Sequence, residues 1–324
     1  MSVSRLRPVF ALAALLLASP VFAAPGALSL VPNDAVSVGV VKLNELRTSP
    51  LSSTLFQQTD KFGSNGDAGD FLRETGLDPF KDVDMLVVAT SPRTALGSEA
   101  DVLVVAEGRF NAAWLTKALT DRGAIRKTTP GGSYLTLPDS AEDHRGAVSF
   151  PSGDMAIMGT ERAVAEALAT RAAGGSSFNV ASGLGRDAAR IDQTATAWAV
   201  VDVARASRLT GGFGRVPGKG AQGEALAAAI KSVSTVALWA TDSGDALTLG
   251  AFGLATDEET LGLLEDTIRG ALSGLRLAVK DKAPELVSVL RKFDVNRTSD
   301  SVRITGTIPA EQLRQLMAQK TAAK

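Results

Sequence analysis

Two runs of β-branched and small apolar residues organise this chain: Val36-Ser37-Val38-Gly39-Val40-Val41-Lys42-Leu43 and Ala197-Trp198-Ala199-Val200-Val201-Asp202-Val203. Each fits a buried strand, and each leads through a polar, Arg- and Ser-containing turn into a helical stretch. A second strand follows in both places, from Val83 to Thr90 and from Thr235 to Ala240. A third follows from Val102 to Ala106 and from Leu247 to Phe252. The pattern predicts two similar halves.

The third strands feed helices with readable starts. Asn111 is placed to cap a helix over Ala112 to Arg122, which Gly123 closes. In the second half Thr256 and Glu259 have capping-box spacing, and Leu261, Leu264, Ile268, Leu272 and Leu275 then share one helical face. Pro284 ends that helix and opens another at Glu285. Both halves close with a hairpin, Val148 and Phe150 against Met155 and Ile157, and Phe293 and Val295 against Val302 and Ile304. Final helices are expected from about Thr160 and Pro309. Val104 to Ile157 spans 53 positions and Leu249 to Ile304 spans 55, which supports a duplication.

These elements predict an α+β fold of two similar halves. Each half is a mainly antiparallel sheet with helices on one face, of ferredoxin-like type if the core runs strand-helix-strand-strand-helix-strand. The expected boundaries are an N-terminal domain over 27–172, a flexible linker over 173–191 and a C-terminal domain over 192–319. Gly174-Gly175-Ser176-Ser177 and Ser182-Gly183 give the linker its polar, flexible composition.

Residues 1–23 read as a signal peptide. Arg5 and Arg7 precede an apolar core from Val9 to Leu17, and Val21 and Ala23 supply the small residues before a cut that leaves Ala24 first. That core is shorter than the roughly 20 residues a spanning helix needs, and no later stretch reaches that length, so no transmembrane segment is expected in the mature chain. The expected location is a bacterial periplasm or the cell exterior. Cysteine is absent from all 324 residues, which excludes a disulfide scaffold, thiol redox chemistry and thiolate metal sites. Stability must therefore come from burial. Basic and acidic residues number 34 and 35 with no basic block, which argues against nucleic acid as a partner.

Candidate chemistry is sparse. His144 is the single histidine, in a charged, turn-like stretch with no Gly-x-Ser-x-Gly elbow in the sequence, and it reads as a solvated loop residue. One histidine and no cysteine cannot furnish the usual zinc set. Gly212 to Gly220 superficially resembles a phosphate loop, but five residues separate Gly212 from Gly218, and Gly220 stands where the hydroxyl belongs. Glu74, Asp78, Asp82 and Asp84 crowd together without calcium-loop spacing and read as a turn before the strand at Val83. Trp114, Trp198 and Trp239 are assigned to core packing, which leaves few aromatic platforms for sugars. No catalytic residue, cofactor site or metal site is therefore assigned.

Leu30-Val31-Pro32-Asn33-Asp34-Ala35 before a Val-rich strand, and the passage Gly153 to Val164, resemble stretches of exported bacterial proteins of unknown function. The resemblance implies a duplicated envelope-side domain and transfers no active site. The leading expectation is a soluble periplasmic or secreted, non-catalytic binding or interaction protein, its partner an envelope protein or a small ligand. One alternative is a carrier holding a small or apolar ligand between its two halves. Another is a hydrolase using paired Asp or Glu carboxylates.

Overall fold

The computed structural model describes residues 26–49, 67–94, 99–138, 145–176, 178, 182–192, 194–209, 228–281 and 284–315. The cleavage residues Val21, Ala23 and Ala24, the histidine His144 and the loop Gly212 to Gly220 lie outside them.

Among the described residues twelve strands form one sheet. They are β1 (Ser37–Lys42), β2 (Val83–Pro92), β3 (Ala100–Gly108), β4 (Ile125–Thr129), β5 (Gly132–Thr136), β6 (Gly146–Ser152), β7 (Met155–Thr160), β8 (Ala197–Asp202), β9 (Thr235–Asp242), β10 (Ala246–Leu254), β11 (Phe293–Arg297) and β12 (Ser301–Pro309). Their order is β11-β12-β10-β9-β8-β1-β2-β3-β7-β6-β5-β4, so β11 and β4 are the outermost strands among the described residues. Outward from the β1–β8 pair the order is β1-β2-β3-β7-β6 on one side and β8-β9-β10-β12-β11 on the other, with β5 and β4 added beyond β6. At the centre Val38 stands opposite Val200, and Val40 opposite Trp198.

Every pairing is antiparallel. The strand order corrects the ferredoxin-like expectation, because a split β-α-β unit leaves room for another strand between the two that its helix joins. Here β1, β2 and β3 are consecutive neighbours.

Helices pack on both faces, not one. On the first face the helix Glu161–Ala172 buries Ala163, Val164, Ala167 and Leu168 against Val105 and Ile157, in a core that continues through Val38 and Val40 to Val200, Ala237 and Trp239. On the second face the helix Ala112–Asp121 sets Leu115 against Ala106 and Ala156. The helix Glu258–Val279 sets Leu261, Leu264 and Leu272 beside Val295 and Val302 on that same face. The strands are apolar on both faces, so each face needs cover.

The caps follow local chemistry. Asn111 accepts from the Trp114 amide at 3.1 Å, and Gly123, at φ 91°, turns the chain past the helix end. At the longer helix the cap is Asp257, accepting from the Thr260 amide at 2.7 Å, one residue later than the Thr256 spacing predicted. A carboxylate at that position also complements the helix dipole.

Within 173–191, expected to be a linker, the described residues are 173–176, 178 and 182–191. Phe178 within it is fully buried, a placement worth about 2 kcal/mol. Ser182 starts a short helix, Gly183–Ala188, which buries Leu184. Phe178 and Leu184 both belong to the core of the first face.

Candidate functional site

The centre of the second face is an apolar surface that neither flanking helix covers. Because register fixes which side chains share a face, it can be read strand by strand. One row runs Met158, Val104, Val88, Gly39, Ala199, Leu238, Ala251 and Ile304 across eight strands. The neighbouring row runs Ala156, Ala106, Leu86, Val41, Ala197, Ala240, Leu249 and Gly306. Neither row contains a polar side chain. The other face of the same central strands is closed: Val38, Val40, Val87 and Val200 are all 2% exposed or less. Yet Leu238 is 55% exposed and Val88 37%. Singly exposed apolar residues need no explanation, but a contiguous patch does.

The patch is a trough. Gly39, Ala197, Ala199 and Ala240 form a floor of small side chains, while Leu86, Val88 and Leu238 rise beside it around a cavity of about 420 Å³. β1 and β2 supply one wall, β8 and β9 the other. A second cavity of about 290 Å³ continues beneath the helix Glu258–Val279, between Val236 and Ala251 of the sheet and Ile268 and Leu275 of the helix. Leu238 lines both. Neither lining includes a charged residue, so the pair discriminates chiefly by shape and apolarity.

The residues singled out by sequence do not meet here. Glu74 pairs with Arg122 at 2.7 Å and Asp84 with Arg47 at 2.7 Å. Asp78 caps the turn Pro79–Asp82, accepting from the Phe80 amide, and pairs with Lys81 at 2.8 Å; that side-chain bond holds its carboxyl below the usual range. The described residues contain no group of three or more His, Cys, Asp or Glu arranged to hold a metal. Trp239 is buried and Trp198 is packed against the first core. Trp114 is 44% exposed, which corrects its assignment to the core. It precedes Leu115, the residue that its helix buries, and so points about 100° away from that contact.

One carboxylate is deeply buried. Asp101 is 1% exposed, accepts from the Thr160 hydroxyl at 2.9 Å, and has Arg93 Nε at 3.4 Å and Arg162 Nε at 3.2 Å. A buried charge held by two guanidiniums and a hydroxyl ties β3 to β7 and the helix that follows. Glu161 accepts from Lys127 and from the Tyr134 hydroxyl at 3.0 Å. Burial pushes its pKa up, but Lys127, Tyr134 and Arg145 outweigh this and hold it below the ordinary value. Burial and the Glu161 contact raise the Tyr134 phenol.

The molecule is thus an α+β protein with one long antiparallel sheet, helices on both faces and an open apolar centre on the second. No helix among the described residues is long and apolar enough to cross a membrane. No family model matches the chain, and no curated protein matches it. Among solved structures it is similar to crystal form III of TP0453, with 12% identity, a TM-score of 0.49, and coverage of 91% of this chain and 98% of that one. Crystal form I of TP0453 matches with 12% identity and a TM-score of 0.48, covering 92% of this chain and 98% of that one.

The trough is not legible in the sequence because its signal is subtle. Small residues recur at period two in β1 and β8, as Gly39 followed by Val41 and Ala197 followed by Ala199. Only the β1–β8 pairing, between residues some 160 positions apart, makes them one surface.

Proposed function

We propose that this is a non-catalytic binding protein for a slender apolar ligand, such as an unbranched hydrocarbon chain, laid in the central trough. The observation that carries this reading is the unbroken apolar lining of the trough and of the cavity that continues from it beneath the helix Glu258–Val279. Each cavity lies at or just above the low end of typical ligand-site volumes, roughly 300–1,000 Å³. The roofed inner cavity favours a flexible chain over a partner's rigid helix, which could reach only the open part.

Two further readings belong with this one. The mirrored strand order about β1 and β8 supports residues 27–172 and 192–319 as repeats of one unit, with the ligand held where they join. The charged start, short apolar core and small residues before Ala24 support export to a periplasm or the cell exterior.

The test is titration with an uncharged pyrene-labelled alkane, followed by pyrene fluorescence, in the wild type and in Leu238→Glu. Leu238 is half exposed, so the fold should tolerate the change. A charge at the junction of the cavities should weaken binding by more than about tenfold. Absence of binding by the wild type, or equal affinity in the variant, would refute the reading.

A further inference from the structure

A different cavity lies far from the trough, near the β4 edge. β5 and β6 pair only at Leu135 with Val148 and at Thr136 with Ala147. Beyond those two positions the strands part, and β6 shifts register between Ser149 and Ser152. Pro151 sits in that shift and has no N–H to offer a ladder. The fork encloses about 270 Å³.

The chemistry of this fork is the opposite of the trough's. Arg126 of β4 and Arg171 of the helix Glu161–Ala172 both line it, along with Ser133 and Ser149, and no acidic residue does. Neither guanidinium has a hydrogen-bond or ion-pair partner among the described residues, whereas most of the other cations on this end of the molecule are paired. Lys127 is bound to Glu161, and Arg162 to Asp101 and Glu166. Glu161 is taken by Lys127 and by Tyr134, and Tyr134 also lines the fork. The Nε of Arg171 is buried with no acceptor. A buried guanidinium donor without a partner is costly and calls for an explanation. The backbone supports the placement: Gly131, on the fork's rim, lies against Leu168 and Ala169, and a Cβ there would stand 2.6 Å from the Ala169 amide. Only glycine lets the β4–β5 turn approach the helix this closely, which brings Arg171 to the cavity.

We propose that this fork is an oxyanion site, in which Arg126 and Arg171 together bind a carboxylate or phosphate group. Guanidinium groups present paired donors that match either oxyanion, and two of them without a competing carboxylate favour a charged group over a neutral one. Phe150, Leu168 and Pro151 form an apolar wall, so the anion is carried on a small organic body. The site goes beyond the trough and is independent of it.

The test uses the full chain in separate calorimetric titrations with inorganic phosphate, phenyl phosphate and benzoate. Binding of phenyl phosphate or benzoate is expected, weakened by at least about tenfold in R171Q and further in the double variant R126Q/R171Q. Preference between the two identifies the oxyanion. Binding of inorganic phosphate alone would overturn the organic body. Failure of all three to bind, or unchanged affinity in the double variant, would overturn the site itself. Unfolding curves of both variants in the absence of ligand should match the wild type, because neither arginine has a protein partner to lose. Marked destabilisation of the double variant would instead give the arginines a structural role and overturn the proposal. The pyrene titration should be unaffected in both variants, which separates this result from the trough.

Discussion

Trp239 of β9 stands directly across from Gly250 of β10, and its indole lies over the glycine. Phe293 and Gly306 repeat the arrangement between β11 and β12. An aromatic ring covering a cross-strand glycine shields exposed backbone and pins the register. Arg303 completes the first stack, 4.8 Å from the Trp239 ring and 5.4 Å from that of Phe252. Gly250→Ala would drive a methyl into the indole, and the expected cost is about 1–3 kcal/mol. Urea unfolding checks this: the midpoint should fall while the slope stays constant.

Asp101 is the buried charge of the first half. Asp101→Ala leaves Arg93 its pair with the partly exposed Glu99 but removes its buried one, and removes the acceptor of the Thr160 hydroxyl. The expected loss is about 3 kcal/mol, the low end for breaking a buried pair, because Arg162 is partly exposed and regains water. Equilibrium unfolding at neutral pH measures it.

Tyr134 and Glu161 give stability opposite pH limits. The folded Tyr134 phenol is raised, chiefly by burial, so its contribution is complete below the unfolded value of about 10 and is lost as pH climbs through the folded value. The folded Glu161 carboxyl is lowered, so its contribution is present above the unfolded value of about 4.3 and is lost as pH falls through the folded value. Tyr134→Phe should flatten the alkaline fall in stability relative to the wild type. It should leave much of the acid fall, since Lys127 still holds Glu161. Urea midpoints across the pH range report both limbs.

The tryptophans should separate cleanly. Trp239→Ala is expected to cost about 3–5 kcal/mol, while Trp114→Ala should lie within about 0.5 kcal/mol of the wild type. Acrylamide should quench Trp114 emission far more readily than that of Trp239, which is 5% exposed. Equal quenching or equal cost would contradict these placements.

Local chemistry made the strands and helix ends legible. The alternation of Val148 and Phe150 with Met155 and Ile157 located β6 and β7, and Asn111 and Gly123 bracketed their helix as read. Thr256 gave way to Asp257 because two polar residues in succession both suit a cap, and only the backbone selects one. β4 and β5 escaped notice: Ile125-Arg126-Lys127-Thr128-Thr129 is an edge strand with little apolar alternation, although Pro130-Gly131-Gly132 announces its turn. Neither the trough nor the arginine fork was legible, since one arises from the β1–β8 pairing and the other from strands that part. A local pattern records which face a residue takes, not which distant strand lies beside it.

A sheet of this width is a template for its own extension, since each outermost strand offers unpaired backbone to any strand that arrives. β4 presents Arg126 and Lys127 within five residues, and β11 presents Asp294 and Arg297. Charges at both borders penalise docking by another copy, because their desolvation would accompany every new strand. The arginine that faces the fork therefore also guards the border, and a substitution that neutralised it would remove part of this molecule's protection against growing end to end into fibrils.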